Sequence, residues 1–411
     1  MARPGRGQHP RRTRAGVARR LLSVVPGVRA DRPAARRAVG AGDPRTRPRR
    51  RPRRPPARCA GRPVGAGGRA AHAGVPPGAH TPVVVGARAA DRGSAQGDDP
   101  GVTAIGVDVG GTSVRAGVVD AHGSVLDTAR GSTPSGEAEL EDVICSTIET
   151  LRREHEVSAV GLAVAGFIGN DRRSVMFAPH LAWRAAPVAD RIASRIGLPV
   201  VLEHDANAAA LAEYHFGALR GARVGLLIAI GTGIGGALLI DGKLFRGAHG
   251  VAPELGHLRL MPGGRPCPCG KSGCWERYCS GTALSATAVD LLSRHPSSTL
   301  VREAARDSRA LTGRKVAAAA REGDPVALLA MADLAKWLGE GLALVADVYD
   351  PELIVIAGGV SESGPLFLDD ARDRYRAVVT GAGHRPLARL RIGHLGDDAG
   401  LVGAALACGL G

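Results

Sequence analysis

The amino-acid sequence predicts an α/β protein of two related lobes, preceded by a disordered extension. Two observations indicate the lobes. After residue 102, apolar β-type runs alternate with amphipathic helical segments. In addition, a strand–glycine–strand pattern occurs twice, near residues 110 and 232. A third observation separates the extension from the rest, because residues 1–100 contain 23 Arg and 14 Pro but no Phe, Trp or Tyr.

The extension carries the basic character of the chain. Its 23 Arg and 5 Asp give a net charge of +18, whereas the remaining residues, with 31 basic and 34 acidic side chains, carry −3. Such a composition cannot bury enough apolar surface to offset the entropy of ordering, so residues 1–101 are predicted to be disordered. Specific nucleic-acid binding by the remainder is not expected.

Three interpretations of the extension remain open. It is an arm that binds phosphates, a targeting segment, or read-through from a misplaced start, with synthesis beginning near Val102. Composition favours the third, and the apolar run Leu21–Val25 is too short for a signal peptide. No apolar run reaches the roughly 18–20 residues of a membrane span, and the scattered cysteines fit a reduced cytoplasm.

The first lobe, predicted over residues 102–220, opens with a hairpin. Asp108, Gly110, Gly111 and Thr112 lie between the apolar runs 103–107 and 114–119. Glycines there allow backbone N–H groups to approach an anion closely, and the threonine hydroxyl adds a donor. Asp108, at the strand end, is positioned to hold a hydrated Mg²⁺. An ordinary glycine turn is the alternative.

Strand–helix alternation then leads to a second acidic residue. A helix over 137–154, a buried strand over 159–168, a polar loop and a helix after Pro187 precede the strand 199–203. Asp205 follows that strand, before a helix over 208–216, where α/β sheets usually place ligands. It is either a helix N-cap or a general base that accepts a proton from an attacking hydroxyl.

The second lobe, predicted over residues 221–397, repeats the opening pattern. Gly231, Thr232 and Gly233 separate two strands, whereas a dinucleotide-binding fingerprint requires a helix after its glycines. The pattern therefore predicts a second phosphate hairpin, internal duplication and a nucleotide held between the lobes. A long helix over 326–348, capped by Asp324, precedes a strand over 353–356.

That strand leads to Gly358 and Gly359, which we expect to approach the nucleoside. A small-residue helix over 400–407 follows. It is expected to pack across the lobes, so that residues 398–411 complete the first lobe.

A metal loop is predicted over residues 254–276. His257, Cys267, Cys269 and Cys274 supply one imidazole and three thiolates, the donor set of a closed, tetrahedral structural Zn²⁺ site. The alternative is a disulfide with an uninvolved histidine. Cys-Pro-Cys suits an ordinary disulfide framework poorly. Two flanking carboxylates, Glu254 and Glu276, suggest a pocket for a ligand rich in hydroxyl groups.

Together these motifs resemble the ROK family, which contains sugar kinases and sugar-sensing repressors, and within it the actinobacterial ATP-dependent glucokinases. The resemblance covers residues 102–411. It implies an actin-like (ribonuclease H-like) two-lobed fold that closes over sugar and nucleotide, with ATP, Mg²⁺ and structural Zn²⁺ as cofactors. It also implies a homodimer or homotetramer in the cytoplasm, and it makes Asp205 the base for the 6-hydroxyl of glucose.

The resemblance further implies that Glu254, His257 and Glu276 bind sugar hydroxyls, with His257 shared between metal and substrate. Two positions depart from the family pattern, because His204 and His180 stand where Asn is usual. A histidine cannot present a donor and an acceptor side by side to one sugar contact as an amide does. These changes leave mannose or N-acetylglucosamine open as the substrate. Polyphosphate as donor and a repressor function are separate alternatives to glucose phosphorylation by ATP.

Overall fold

The computed structural model describes residues 103–409, and the predicted disordered extension lies outside them. Across the described residues, no helix combines the length and apolar character needed to cross a membrane. The alternation of strands and helices confirms the predicted α/β class.

The strands, in chain order, are β1 (Ala104–Val109), β2 (Ser113–Val119), β3 (Val125–Ser132), β4 (Val160–Val164), β5 (Phe167–Ile168), β6 (Val175–Phe177), β7 (Arg184–Ala186), β8 (Val200–His204), β9 (Val224–Ile230), β10 (Ile234–Ile240), β11 (Lys243–Leu244), β12 (Leu353–Ala357) and β13 (Arg389–Ile392). The helices are α1 (Glu137–Arg152), α2 (Val188–Ile196), α3 (Asp205–His215), α4 (Gly281–Leu292), α5 (Leu300–Arg306), α6 (Gly313–Arg321), α7 (Pro325–Tyr349), α8 (Leu368–Val378) and α9 (Ala399–Ala407).

Two five-stranded sheets repeat one topology. The first has the order β3-β2-β1-β4-β8 and the second the order β11-β10-β9-β12-β13. In each, the opening strands form an antiparallel hairpin, and the next two strands add in parallel on the other side. The strand after Gly231–Gly233 is β10, paired antiparallel with β9. The duplication suggested by the sequence is therefore present in the sheets.

The apolar faces of these sheets pack on different helices. Helices α1 and α2 share a buried cluster with the first sheet, and α4, α6, α7 and α8 share one with the second. Helix α9 lies against β1, β4 and α3. Its backbone approaches the first sheet so closely that a Cβ at Gly106 or Gly161 would lie within 2 Å of a carbonyl oxygen of α9. Only glycine permits that approach.

Several sequence-based expectations were wrong in detail. The segment expected to be a polar loop contains β6 and β7, which form a small three-stranded sheet with β5. The strand expected over 159–168 is interrupted after Val164. Helix α3 begins at Asp205 and not at 208, because the turn starts directly where β8 ends. Strand β3 was not anticipated, since only one of its faces is partly covered.

Candidate active site

Asp205 is the first residue of α3 and follows β8 directly. Its side chain is 43% exposed, and its Oδ1 accepts a hydrogen bond of 2.7 Å from the backbone N–H of Ala206. A capping side chain accepts instead from the second or third helical N–H. The cap position belongs to His204, which makes no side-chain cap bond. The cap interpretation of Asp205 is therefore not supported, and its carboxylate is available to a ligand.

The side chains predicted to bind sugar lie around Asp205. The Nε2 atom of His204 is 3.2 Å from Asp205 Oδ1. Burial raises the pKa of Glu254, an increase that the neighbouring His204 and His257 oppose. The carboxylates of Asp205 and Glu276 add to the increase. His204, Asp205, His257 and Glu276 therefore all lie within electrostatic range of Glu254, although they come from two distant segments of the chain.

The two ring nitrogens of His257 have different neighbours. Its Nε2 lies 3.9 Å from Glu254 Oε2. Its Nδ1 lies 3.6 Å from Glu276 Oε1 and 3.7 Å from the Sγ of Cys267. Nε2 therefore faces Glu254, whereas Nδ1 lies beside both Glu276 and Cys267.

Four side chains of the loop form a candidate metal centre. The ligand atoms of His257, Cys267, Cys269 and Cys274 all lie within 4.8 Å of one another. The three thiols are free, and the Sγ atoms of Cys269 and Cys274 are 3.6 Å apart. Zn–S bonds of about 2.3 Å in a tetrahedron place sulfur atoms roughly 3.8 Å apart. The donor set and its spacing therefore fit Zn²⁺.

Backbone turns and one aromatic anchor build this loop. Residues 267–271 close on themselves through the N–H of Cys267, which donates to the Lys271 carbonyl at 2.8 Å. Gly273 has a φ of +82°, and a Cβ there would lie 1.7 Å from the Met261 carbonyl oxygen. Trp275 is fully buried, and its indole N–H donates to the Trp337 carbonyl of α7. These contacts, which do not involve the ligand atoms of the candidate metal centre, fix the loop to α7.

The first hairpin lies on the other side of Asp205. Burial and the carboxylate of Asp205 raise the pKa of Asp108 to about 6, while Arg115 opposes the increase. The N–H of Gly110 donates to the Ser113 carbonyl at 3.0 Å and closes the turn, which leaves Gly111 and Thr112 exposed. The two aspartates are thus near enough to repel, and this repulsion disfavours the charged form of Asp108.

A cleft of about 990 Å³ opens beside the second hairpin. Of the residues predicted to bind nucleotide, it is lined by Gly231, Thr232 and Gly359. Gly233 lies next to Glu276, and Gly358 has a φ of +81° and packs on Ile230. The hairpin at Asp108 does not line this cleft. Its size and its largely apolar wall, which includes Leu284, Val289, Leu311 and Met331, suit a drug-sized or nucleotide-sized ligand.

Sequence reasoning missed the charged side chains of that cleft. Asp290 of α4, Arg314 and Arg321 of α6, and Glu362 line it from separate elements. Arg321 also donates to the Ser363 hydroxyl at 2.9 Å. These residues belong to ordinary amphipathic helices and a short turn, so no local motif distinguishes them. Only the packing of α4 and α6 against α7 brings them to one wall.

Comparison with known proteins agrees with this architecture. The model of the ROK family matches residues 104–408. A glucokinase from Streptomyces coelicolor is 44% identical over 303 residues, which cover 73% of this chain and 96% of that protein. The structure of a ROK family glucokinase from Streptomyces griseus, in complex with glucose and AMPPNP, is 43% identical with a TM-score of 0.70, covering 75% of this chain and all of that one.

A repressor is also among the relatives. The xylose repressor of Caldicellulosiruptor bescii is 31% identical over 217 residues, which cover 53% of this chain and 54% of that protein. The glucokinases match more of the chain at higher identity. The chain belongs to the ROK family, and within that family it is a sugar kinase.

Proposed function

We propose that this chain transfers the γ-phosphoryl group of Mg·ATP to the 6-hydroxyl of glucose. The observation that carries the proposal is the cluster around Asp205, in which an accessible carboxylate is surrounded by hydrogen-bonding side chains. The similarity to glucokinases along nearly the whole length of those proteins supports the choice of sugar.

In this proposal Asp205 is the general base. Its Oδ1 accepts from the Ala206 N–H, which leaves Oδ2 to accept the proton of the 6-hydroxyl as its oxygen attacks phosphorus. Phosphoryl transfer requires little covalent chemistry from the protein. Alignment of the two substrates therefore provides most of the rate enhancement.

The sugar is held by hydrogen bonds. Glu254 and Glu276 accept from sugar hydroxyls. His257 Nε2, which carries the ring proton when Nδ1 is bound to metal, donates to a sugar hydroxyl oxygen. His204 adds one further contact. His257 and the three cysteines would hold Zn²⁺, which would supply no reaction step but would fix the tautomer and orientation of the histidine. Recognition of the sugar is thereby linked to folding of the loop.

The nucleotide is held by glycine-rich turns. Gly231, Thr232 and Gly233 contact the phosphates, Gly358 and Gly359 approach the nucleoside, and the cleft beside them receives the base and ribose. Gly110, Gly111 and Thr112 of the first hairpin approach the phosphates from the other lobe. Asp108 would hold Mg²⁺, which neutralises charge on the transferred group.

The test is turnover of Asp205→Asn and Asp205→Ala. A general base contributes about 10²–10⁴-fold to rate, so we expect kcat to fall by at least that range. Glucose affinity, measured by titration calorimetry, should change only a few-fold. Retention of more than about a tenth of wild-type kcat would refute the assignment of the base, because a loss of less than about tenfold is smaller than the contribution of a general base.

Another hexose is the second candidate, and His204 is the observation that favours it. A ring in place of the usual amide changes both the size and the hydrogen bonding of one sugar contact. A coupled assay with glucose, mannose and N-acetylglucosamine, each with ATP and with polyphosphate, separates these possibilities. We further propose a homodimer or homotetramer, which light scattering after size exclusion measures directly.

A further inference from the structure

A buried ion-pair cluster lies immediately behind the candidate active site. Glu203, the residue before His204 in β8, is 2% exposed. Its Oε2 accepts from Arg246 Nη2 at 2.5 Å and lies 3.4 Å from Arg172 Nη2. Its Oε1 accepts from Asn207 Nδ2 at 2.9 Å and from the His204 backbone N–H at 3.1 Å. All of its acceptor capacity faces protein donors, so this carboxylate has no free oxygen to offer a substrate.

The partners of Glu203 come from three parts of the chain. Asn207 lies in the first turn of α3, two residues after Asp205. Arg246 follows β11 and begins the segment that ends at Glu254. Arg172 follows β5, and its guanidinium also donates to the Ala407 carbonyl of α9 at 2.8 Å. One buried carboxylate therefore connects the strand that precedes Asp205 with the segment that precedes Glu254.

The segment after Arg246 has further contacts with the first lobe. Asn170 donates its side-chain amide to the Ala248 carbonyl. A Cβ at Gly250 would lie 2.4 Å from the Ile168 carbonyl oxygen, so the two backbones are in close contact there. The segment 246–254 is thus joined to β8 by the ion pair at its start, is held against residues 168–170 at its middle and carries Glu254 at its end. The ion pair therefore connects this segment to the strand that ends beside Asp205.

We propose that Glu203 and Arg246 are a positioning pair, which fixes the distance between Asp205 and Glu254 and so aligns the sugar with its base. This inference rests on the proposed function, since it assigns both residues to alignment of the same substrate. Neither touches the sugar. Reactivity depends steeply on alignment, and a misplacement of about 1 Å can reduce rate about 10²-fold.

The experiment compares Glu203→Gln, Arg246→Met and the double variant in the full chain. Glu203→Gln leaves the guanidinium groups of Arg246 and Arg172 without their carboxylate, and Arg246→Met leaves Glu203 with only the longer ion-pair contact to Arg172. Each single variant should therefore lower the melting temperature. The double variant removes both charges, so its melting temperature should return close to that of wild type. Arg172 retains its bonds to the carbonyls of Leu202 and Ala407 in that variant.

Catalysis should not recover with stability. In the double variant we expect kcat to remain about ten- to a hundredfold low and KM for the sugar to rise, with KM for ATP within about twofold. Arg195→Met is the matched control, because it removes an exposed ion pair of α2 with Asp142 of α1, away from the site. This control should match wild type in every parameter.

Two results distinguish a failure of the positioning role of Glu203 and Arg246 from a failure of the proposed function. If the double variant regains kcat together with its melting temperature, or if single variants keep wild-type kcat, the pair is structural only and the inference fails. If wild-type protein neither binds nor phosphorylates a hexose, the proposed function fails and the inference fails with it. Titration calorimetry with glucose measures binding independently of turnover.

Discussion

The contact between Gly233 and Glu276 gives a prediction that connects the nucleotide hairpin with the sugar carboxylate. Gly233 ends the Gly231–Gly233 turn, and a Cβ built on it would lie 2.6 Å from Glu276 Oε2. The other oxygen of that carboxylate is 3.0 Å from the Cys267 Sγ. Gly233→Ala must therefore displace Glu276 while the metal loop holds its far side.

The size of the displacement follows from contact distances. An ordinary van der Waals contact for a Cβ begins at 3.4 Å, so the oxygen must move by about 3.4 − 2.6 = 0.8 Å. A misplacement of that order costs about ten- to a hundredfold in rate, or roughly 1.4–2.7 kcal/mol of transition-state stabilisation. The clashing atom is the end of a flexible side chain, so the free energy of unfolding should change little.

The assay is steady-state kinetics with glucose and ATP varied separately. We expect Gly233→Ala to lose kcat/KM for glucose, with the melting temperature preserved. Gly231→Ala is the control from the same turn, since a Cβ there has no atom within 4 Å, and any effect should fall on ATP. Wild-type kcat/KM for glucose in Gly233→Ala would refute the reasoning, as would an equal effect of both variants.

Three further predictions concern the metal loop and the fold. Cys269→Ser, or removal of zinc by a chelator, should weaken glucose binding more than nucleotide binding, because His257 loses its fixed orientation. Titration calorimetry measures both affinities, and equal losses would mean that the metal only stabilises the fold. Asp324→Ala should cost about 1–2 kcal/mol in urea unfolding at pH 7, as Asp324 caps α7. Burial raises the pKa of Asp324, but hydrogen bonds from Ala327 and the neighbouring helix outweigh burial and lower it. The contribution of ionised Asp324 to the free energy of unfolding is therefore present above about pH 4 and is lost as pH falls through the lowered pKa. The unfolding curves of wild type and Asp324→Ala should then converge in acid. Gly403→Ala should lower the free energy of unfolding by about 2 kcal/mol or more in the same assay, because its Cβ would lie 1.7 Å from a backbone oxygen of α3. Unchanged stability would contradict the close packing of α9 on α3.

Sequence reasoning succeeded where local chemistry determines local structure. The expected helix over 326–348 is observed as Pro325–Tyr349, with Asp324 accepting from two backbone N–H groups of its first turn. Its cap, its first-turn proline and its apolar stripe all indicate the same element. The four metal-loop residues lie within 18 residues of one another, so the chain brings them together without long-range pairing.

It failed where structure depends on distant partners. Strands β5, β6 and β7 are two or three residues long, too short to display a periodic pattern. The cleft residues Asp290 and Arg321 meet only when α4 and α6 pack together. The role of Glu203 was equally hidden, because an acidic residue at a strand end is ordinarily exposed, and its arginine partners are 31 and 43 residues away.

The position of α9 has a consequence for how the chain folds during synthesis. This helix packs on β1 and β4, yet it begins 290 residues after β1 ends, at Ala399 against Val109. Until the ribosome has released residue 407, the face of the first sheet that carries Gly106 and Gly161 stays uncovered. The core cluster that joins the second sheet to α4, α6, α7 and α8 comes from residues 226–390 and is free of that delay. Contacts so distant in sequence slow folding and expose apolar surface meanwhile. Of the two five-stranded sheets, the one made first is therefore the last to be covered, and its exposed face is a site for chaperone binding in the meantime.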